Sequence, residues 1–316
     1  MAQSTSPKPS EHERNPVPYS SLKGPGKFWG MYAGEHAAGT EFMIGPLFLL
    51  AGVTLPNIIF GLLVGNLMAV LSWRYLCAPI ATKARLTLYY HLEKIAGPGL
   101  VKLYNFANGL LFCFLAGAMI TVSATAVGIP FEIPMPTLDD TLPNNVPFVI
   151  ITLLVGAVIA IVASRGYDTV ARFSNVAAPW MVLVFLACGV IALKQLEVSS
   201  WAELTAVWND SITFAQGGKN ESTMGFWSVM FFAWFCNAAM HVGMADLSVF
   251  RYAKSNSCGW ASAAGMYIGH YMAWIAAALM LAAQIKLSQD ANPVPGPMAA
   301  NVAGLETPAG EFDGVN

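Results

Sequence analysis

Residues 28–52 read FWGMYAGEHAAGTEFMIGPLFLLAG, and the placement of this stretch decides the architecture of the chain. A helix crosses a bilayer in about 20 apolar residues at ~1.5 Å rise each, so the stretch is long enough to span. Its first half nevertheless holds Glu35, His36 and Glu41. Ionisable side chains cost about 2.5 to 3.5 kcal/mol each at mid-membrane, so they are turned toward a cavity, a partner or a pathway. At about 100° per residue the three point to about 0°, 100° and 240°, and no single face of a straight helix carries them all. Gly34 and Gly39 bracket Glu35 and His36. Glycine is where a membrane helix opens its hydrogen-bond ladder, provided the freed groups line a cavity. The stretch reads as a broken helix. The competing reading is an interfacial helix whose Glu and His sit near the headgroups.

The surrounding composition agrees with a membrane setting. Of 316 residues, 56% are hydrophobic and 11% charged, against about 25% charged in a soluble domain. The formal net charge of -2 argues against nucleic acid as a partner, which demands a basic face. The expected partners are the lipid bilayer and a small solute. Cys77, Cys113, Cys188, Cys236 and Cys258 form no CxxC pair, so neither a disulfide framework nor a zinc site is expected. Residues 1–27 contain Pro7, Pro9, Pro16, Pro18 and Pro25 and read as a disordered tail.

Seven spans are predicted, at about 28–52, 57–76, 101–127, 148–163, 170–193, 226–250 and 260–285, giving an all-α polytopic membrane protein with a transmembrane domain over 28–286. Gly61 and Gly65 stand at GxxxG spacing, which predicts close packing of the second span. The segment APIATKARLTLYYHLEKIAG carries Lys83, Arg85, Glu93 and Lys94 and is expected on the membrane surface. SWAELTAVWNDSI is a second surface helix, and Pro179 a kink in the fifth span. Residues 287–316 read as an extracytoplasmic loop or a truncated tail. If the N-terminus is cytoplasmic, only Lys194, Lys219 and Lys286 of the 16 Lys and Arg fall outside, leaving 13 inside. That asymmetry follows the positive-inside rule and predicts a multi-pass protein of the inner (plasma) membrane.

Span six, FWSVMFFAWFCNAAMHVGMADLSVFRYAKS, is the second unusual span. Asn237 and His241 share a helix face, with Trp234 and Phe235 before them and Gly243 after. Ordinary hydrogen bonding between packed helices is the alternative reading. Asp246, Arg251 and Lys254 are expected at a solvated cytoplasmic end. Spans one and six are separated by four others and run in opposite directions by the charge count. A five-helix inverted repeat, with the first helix of each half broken, produces that relation.

The segment GMADLSVFRYAKS, residues 243–255, resembles the end of the sixth span in the nucleobase:cation symporter-1 family of purine, cytosine, allantoin and hydantoin permeases, with Asp246, Ser248, Arg251 and Tyr252 in order. Arg251 stands five after Asp246, farther than is usual there. The resemblance implies a LeuT-like inverted-repeat transporter of which this chain covers the first seven spans, truncated relative to the family. It implies substrate contacts from Glu35, His36, Trp234, Phe235, Asn237 and His241, with Asn108, Phe112 and Phe114 candidates only by depth in span three. Asn237 falls where relatives place an aromatic that stacks on the base, so stacking would come from Trp234 or Phe235. The Gly34 to Glu41 cluster, with a carboxyl group at mid-membrane, points to ion coupling through Glu35, Glu41, Gly34 and Gly39, with Na⁺ or H⁺ as the coupling ion and no other cofactor. An amino-acid or amine carrier of the same fold is the main rival, and a non-transporting membrane interaction or receptor protein the reading from another class. An intramembrane hydrolase or metalloenzyme built from Glu35, His36, His241 and His270 is disfavoured by the absence of HExxH and GxSxG.

Overall fold

The structure is a computed structural model and describes residues 12–134, 136, 143, 145–242 and 245–291. Among these residues the protein is all-helical, with one isolated bridge between Lys23 and Ala253. Five helical runs are long and apolar enough to cross a membrane: Leu55–Ala84, Leu88–Phe131, Val146–Ser164, Arg172–Gln195 and Asn256–Asp290. Residues 28–52 and 226–250 supply shorter pieces instead. The first is divided into α1 (Gly26–Glu35) and α2 (Glu41–Leu50), with residues 36–40 outside either helix.

The run expected at 57–76 is longer than its hydropathy suggested. Helix α3 (Leu55–Ser72) passes through a π turn, Trp73–Cys77, into α4 (Ala78–Ala84), so the first part of the expected surface helix extends this run instead. Pro79 is tolerated because it stands in the first turn of α4, where its missing N–H is no loss. The chain reverses at Arg85, which adopts φ 53. It then enters α5 (Leu88–Gly128), two helical pieces that meet at Gly97, where φ is 77. A tight turn through Gly166, φ 84, joins α6 (Val146–Ser164) to α7 (Tyr167–Gln195).

Helix α8 (Trp201–Ala215) is capped by Ser200, whose hydroxyl accepts from the Glu203 N–H, while Glu203 accepts from the Ser199 N–H at 2.7 Å. This pairing is close to a capping box. Its other face is not a surface one. Trp208 is buried and donates to Val53 O at 2.9 Å, fastening α8 across the turn after α2. The chain then enters α9 (Phe226–Asn237), a π turn (Ala238–Val242) and the short α10 (Asp246–Phe250). A 3₁₀ segment (Asn256–Ala261) and a long π segment (Ala264–Tyr271) lead into α11 (Met272–Ala291).

Helix α3 packs on α9, and α11 on α2 and α7. The GxxxG pair explains the first contact: a Cβ on Gly61 would lie 2.8 Å from Val229, and one on Gly65 2.8 Å from Ala233. By contrast α5 and α6 turn most of their side chains outward, among them Phe114 and Leu153. Apolar surface left open on this scale is what a helix facing hydrocarbon carries. Among the described residues two large buried clusters fill the interior, one around Phe48, Trp208 and Trp274, the other around Phe28, Tyr32, Trp73 and Phe250, with a small third one of Phe185, Ala273 and Ala276.

Residues 12–25 are not a free tail, contrary to their proline-rich composition. Val17 is buried, its N–H donating to Arg85 O at 3.0 Å, and the Thr87 hydroxyl donates to Glu13 O at 3.1 Å. The Lys23 N–H donates to Tyr252 O at 2.6 Å and the Lys254 N–H to Lys23 O at 3.0 Å. The segment is a strap, held by backbone hydrogen bonds that proline-free positions supply. Residues 1–11 and 292–316, with most of the loop at 135–144 and Gly243, lie outside the described residues.

Candidate functional site

The interruption at 36–40 begins where the ladder of α1 ends, with the His36 N–H donating to Tyr32 O at 3.2 Å. It ends where Glu41 starts α2, a position that favours a carboxyl group because the first N–H groups of a helix have no internal partner. The interruption of span six follows the same plan. His241 lies in the π turn, and Asp246 is the first residue of α10. Each histidine stands five residues before its acid: HAAGTE at 36–41 and HVGMAD at 241–246.

Each acid is held by an indole from the other half of the chain. Trp274 Nε1 of α11 donates to Glu41 Oε2, and Trp73 Nε1 from the π turn after α3 donates to Asp246 Oδ2. Tyr32 OH also donates to Asp246 Oδ2, at 2.9 Å. Thr40 Oγ1 lies 3.3 Å from Glu41 Oε1, and His270 Nε2 3.8 Å from Glu41 Oε2. The second acid of span one, Glu41, is thus met by the span after span six, and the acid of span six by the span after span one. Trp73 belongs to one buried cluster and Trp274 to the other, so the polar groups lie between the two.

Three histidines fill the space between these acids. The His36 ring is centred 4.5 Å from His241 and 4.6 Å from His270. His241 Nδ1 lies 3.3 Å from Glu35 Oε1, and the Glu35 side chain remains 39% exposed. His36 Nδ1 meets Tyr32 O at 2.9 Å. A carbonyl can only accept, so in the neutral ring Nδ1 carries the hydrogen and Nε2 is the bare nitrogen. His36 Nε2, His270 Nδ1 and Asp246 Oδ1 are buried with no hydrogen-bond partner among the described residues. The span-seven glycines let this interruption approach: a Cβ on Gly269 would lie 2.6 Å from His36 Cβ.

Of the residues expected from sequence, Glu35, His36, Glu41 and His241 meet here. Gly39 lies in the interruption against Val122 of α5, and Gly34 faces Ser174 and Ala178 of α7. The others are elsewhere. Asn237 donates to Ala233 O at 2.6 Å and meets Asn66 of α3 at 3.5 Å, the helix-to-helix alternative. Trp234 donates to Ser72 Oγ at 3.0 Å, and Phe235 is 72% exposed on the opposite side of α9, so neither offers a stacking face to the histidines. Asn108 receives no help from the site; its amide nitrogen reaches Tyr89 OH, 3.4 Å away on the same helix. Phe112 and Phe114 point outward at 38% and 70% exposure.

Asp246 is not at a solvated end. It is 1% exposed, and Arg251 is 6% exposed with its guanidinium on Tyr252 OH and His12 O. Trp73 and Trp274 are the members that residue-by-residue reading passed over, whereas His270 enters the sequence reading only in the disfavoured metalloenzyme. The repeated His-x4-acid spacing links the two acids, but nothing in the sequence around the two indoles marks them as the partners. Comparison with protein-family models, curated proteins and solved structures finds no significant match.

Proposed function

We propose that this chain is a secondary active transporter that moves a small, nitrogen-rich solute with Na⁺ or H⁺ by alternating access, in the manner of the purine and cytosine permeases. The observation that carries the reading is the exchange of partners at the two interruptions: Trp274 with Glu41 and Trp73 with Asp246. Two halves of opposite direction, each lending an indole to the other's broken helix, are what a LeuT-like inverted repeat would produce. Non-helical backbone at membrane depth is tolerated only where it lines a cavity or is buried in protein, and here it brings carboxyl and imidazole groups together.

In this reading Glu35, the most open of the acids, takes the coupling ion, and His241 beside it exchanges with it. Rocking of one half against the other then alternates the side from which Glu35 is reached. The N-terminal strap and the Arg85 turn lie on the cytoplasmic side of the inner membrane. No bond is made or broken in the solute.

Purified protein in liposomes, given an inward Na⁺ or H⁺ gradient, is expected to accumulate a labelled purine or pyrimidine base, and Glu35→Gln to abolish the gradient dependence. Equal uptake with and without a gradient, or none across nucleobases, hydantoins and amino acids, would overturn the reading.

A further inference from the structure

We propose that Glu35, His241 and Asp246 form a binding site for a divalent first-row transition-metal ion. The inference goes beyond transport and stands without it. Each of the three offers a ligand atom within 4.8 Å of the other two, from two different segments: the end of α1 and the interruption of span six. The His241 Nδ1 to Glu35 Oε1 separation of 3.3 Å matches the edge of a tetrahedron with arms of ~2.1 Å, about 3.4 Å, so these two atoms already stand as adjacent ligands would.

Three further observations point to an ion. Asp246 is 1% exposed, and both of its hydrogen bonds fall on Oδ2, from Tyr32 and Trp73. Its other oxygen, Oδ1, has no partner among the described residues. Ligating carboxyl groups are characteristically fixed in this way, one oxygen held by surrounding donors and the other presented. His36 then stands against His241 with Nδ1 committed to a backbone carbonyl and Nε2 bare, the arrangement in which an imidazole is oriented as a ligand or its neighbour. Finally, the side chains of Tyr32, His36 and Trp73, packed against the cluster among the described residues, bring no positive Lys or Arg group to it.

The donor set selects the class of ion. One imidazole with two carboxyl groups is a mixed set that suits Zn²⁺, Co²⁺ or Ni²⁺ better than Na⁺, Mg²⁺ or Ca²⁺, which take oxygen alone. Three protein ligands leave a coordination position for water, and the exposed edge of Glu35 gives the ion a way in. Linear spacing does not register such a site, because its ligands come from separate helices.

The test is a Co²⁺ titration of the full, untagged chain in lipid nanodiscs, followed by visible absorption and competed with Zn²⁺. A saturable d–d band at one ion per chain, displaced by Zn²⁺ and unaffected by excess Mg²⁺, is the expected result. His241→Gln and Asp246→Asn should each weaken Co²⁺ by about 100-fold or more, and His91→Gln should leave it unchanged. If Asp246→Asn fails to give monodisperse protein, His241→Gln carries the test, since its ring takes no part in the Tyr32 and Trp73 bonds. The absence of a saturable band, or the same band in His241→Gln, would overturn the site. Because Glu35 and His241 also serve the proposed coupling, uptake is measured separately without added metal, so that failure of the metal site and failure of the transport reading are told apart.

Discussion

The two interruptions share a plan and are finished differently. Around Glu41 everything is closed: both oxygens have neighbours, in Thr40, His270 and Trp274, and the residue is 4% exposed. Around Asp246 one oxygen is spare, and the half-buried His241 leads from it to the open Glu35. The first interruption is therefore a joint that holds spans one and seven together, while the second, on the metal-site proposal, is a receptor that faces outward through Glu35. The same His-x4-acid pattern is thus closed around Glu41 and left open around Asp246.

The largest effect should come from forcing the closed side apart. Gly269→Leu would drive a side chain into His36, and overpacking against backbone should cost at or above ~3 kcal/mol. The expected result is loss of a monodisperse peak by fluorescence-detected gel filtration; a normal peak would mean that the interruption is looser than the closed joint requires.

Next are the two indoles. Trp274→Phe and Trp73→Phe each remove a hydrogen bond to a carboxyl group, worth about 1.5 to 3 kcal/mol. Asp246 retains the Tyr32 hydroxyl, so Trp73→Phe should be the milder of the pair in thermal unfolding. The reverse order would break the distinction between joint and receptor. Asn237→Ala lies outside both interruptions, and interhelical hydrogen bonds of this kind average ~0.6 kcal/mol, so its melting shift should be smaller than either indole's.

The smallest effect is on α8. The Ser199 N–H and hydroxyl hold the Glu203 carboxyl below its ordinary value, so the cap contributes above the unfolded carboxyl's pKa and is lost as pH falls through the lowered one. Protection factors against hydrogen exchange in the first turn of α8 should fall on acidification in the native protein and already be low at neutral pH in Glu203→Gln.

How much of this was legible followed from what each residue had to declare. Gly34 and Gly39 around two ionisable residues announced the first interruption, because bilayer and helix geometry leave such residues few options. GxxxG at Gly61 and Gly65 announced the α3 to α9 contact for a similar reason. Trp73 and Trp274 announced nothing, since an indole in an apolar run is equally at home against lipid, and only the partner reveals its N–H as used. Asp246 was placed in water because the RYAKS run beside it is polar, yet the backbone folds that run back under the strap. The strap itself was hidden by its prolines, which fix φ without forbidding the neighbouring N–H groups from bonding elsewhere. Trp234 and Phe235 were expected to flank the site because they adjoin it in sequence, but their faces of α9 are turned to α3 and outward.

The strap has a consequence for movement. Its hydrogen bonds to Arg85, Thr87, Tyr252 and Lys254 stitch the turn after α4 to the end of α10, two stretches of chain more than 160 residues apart. Whenever that end of the molecule parts, the stitches must be undone one after another. In the proposed transport cycle, residues 12–25 would therefore act as a brake on that parting, and the rate at which the far side of the bundle is uncovered would be set partly by a segment remote from His36, His241 and His270.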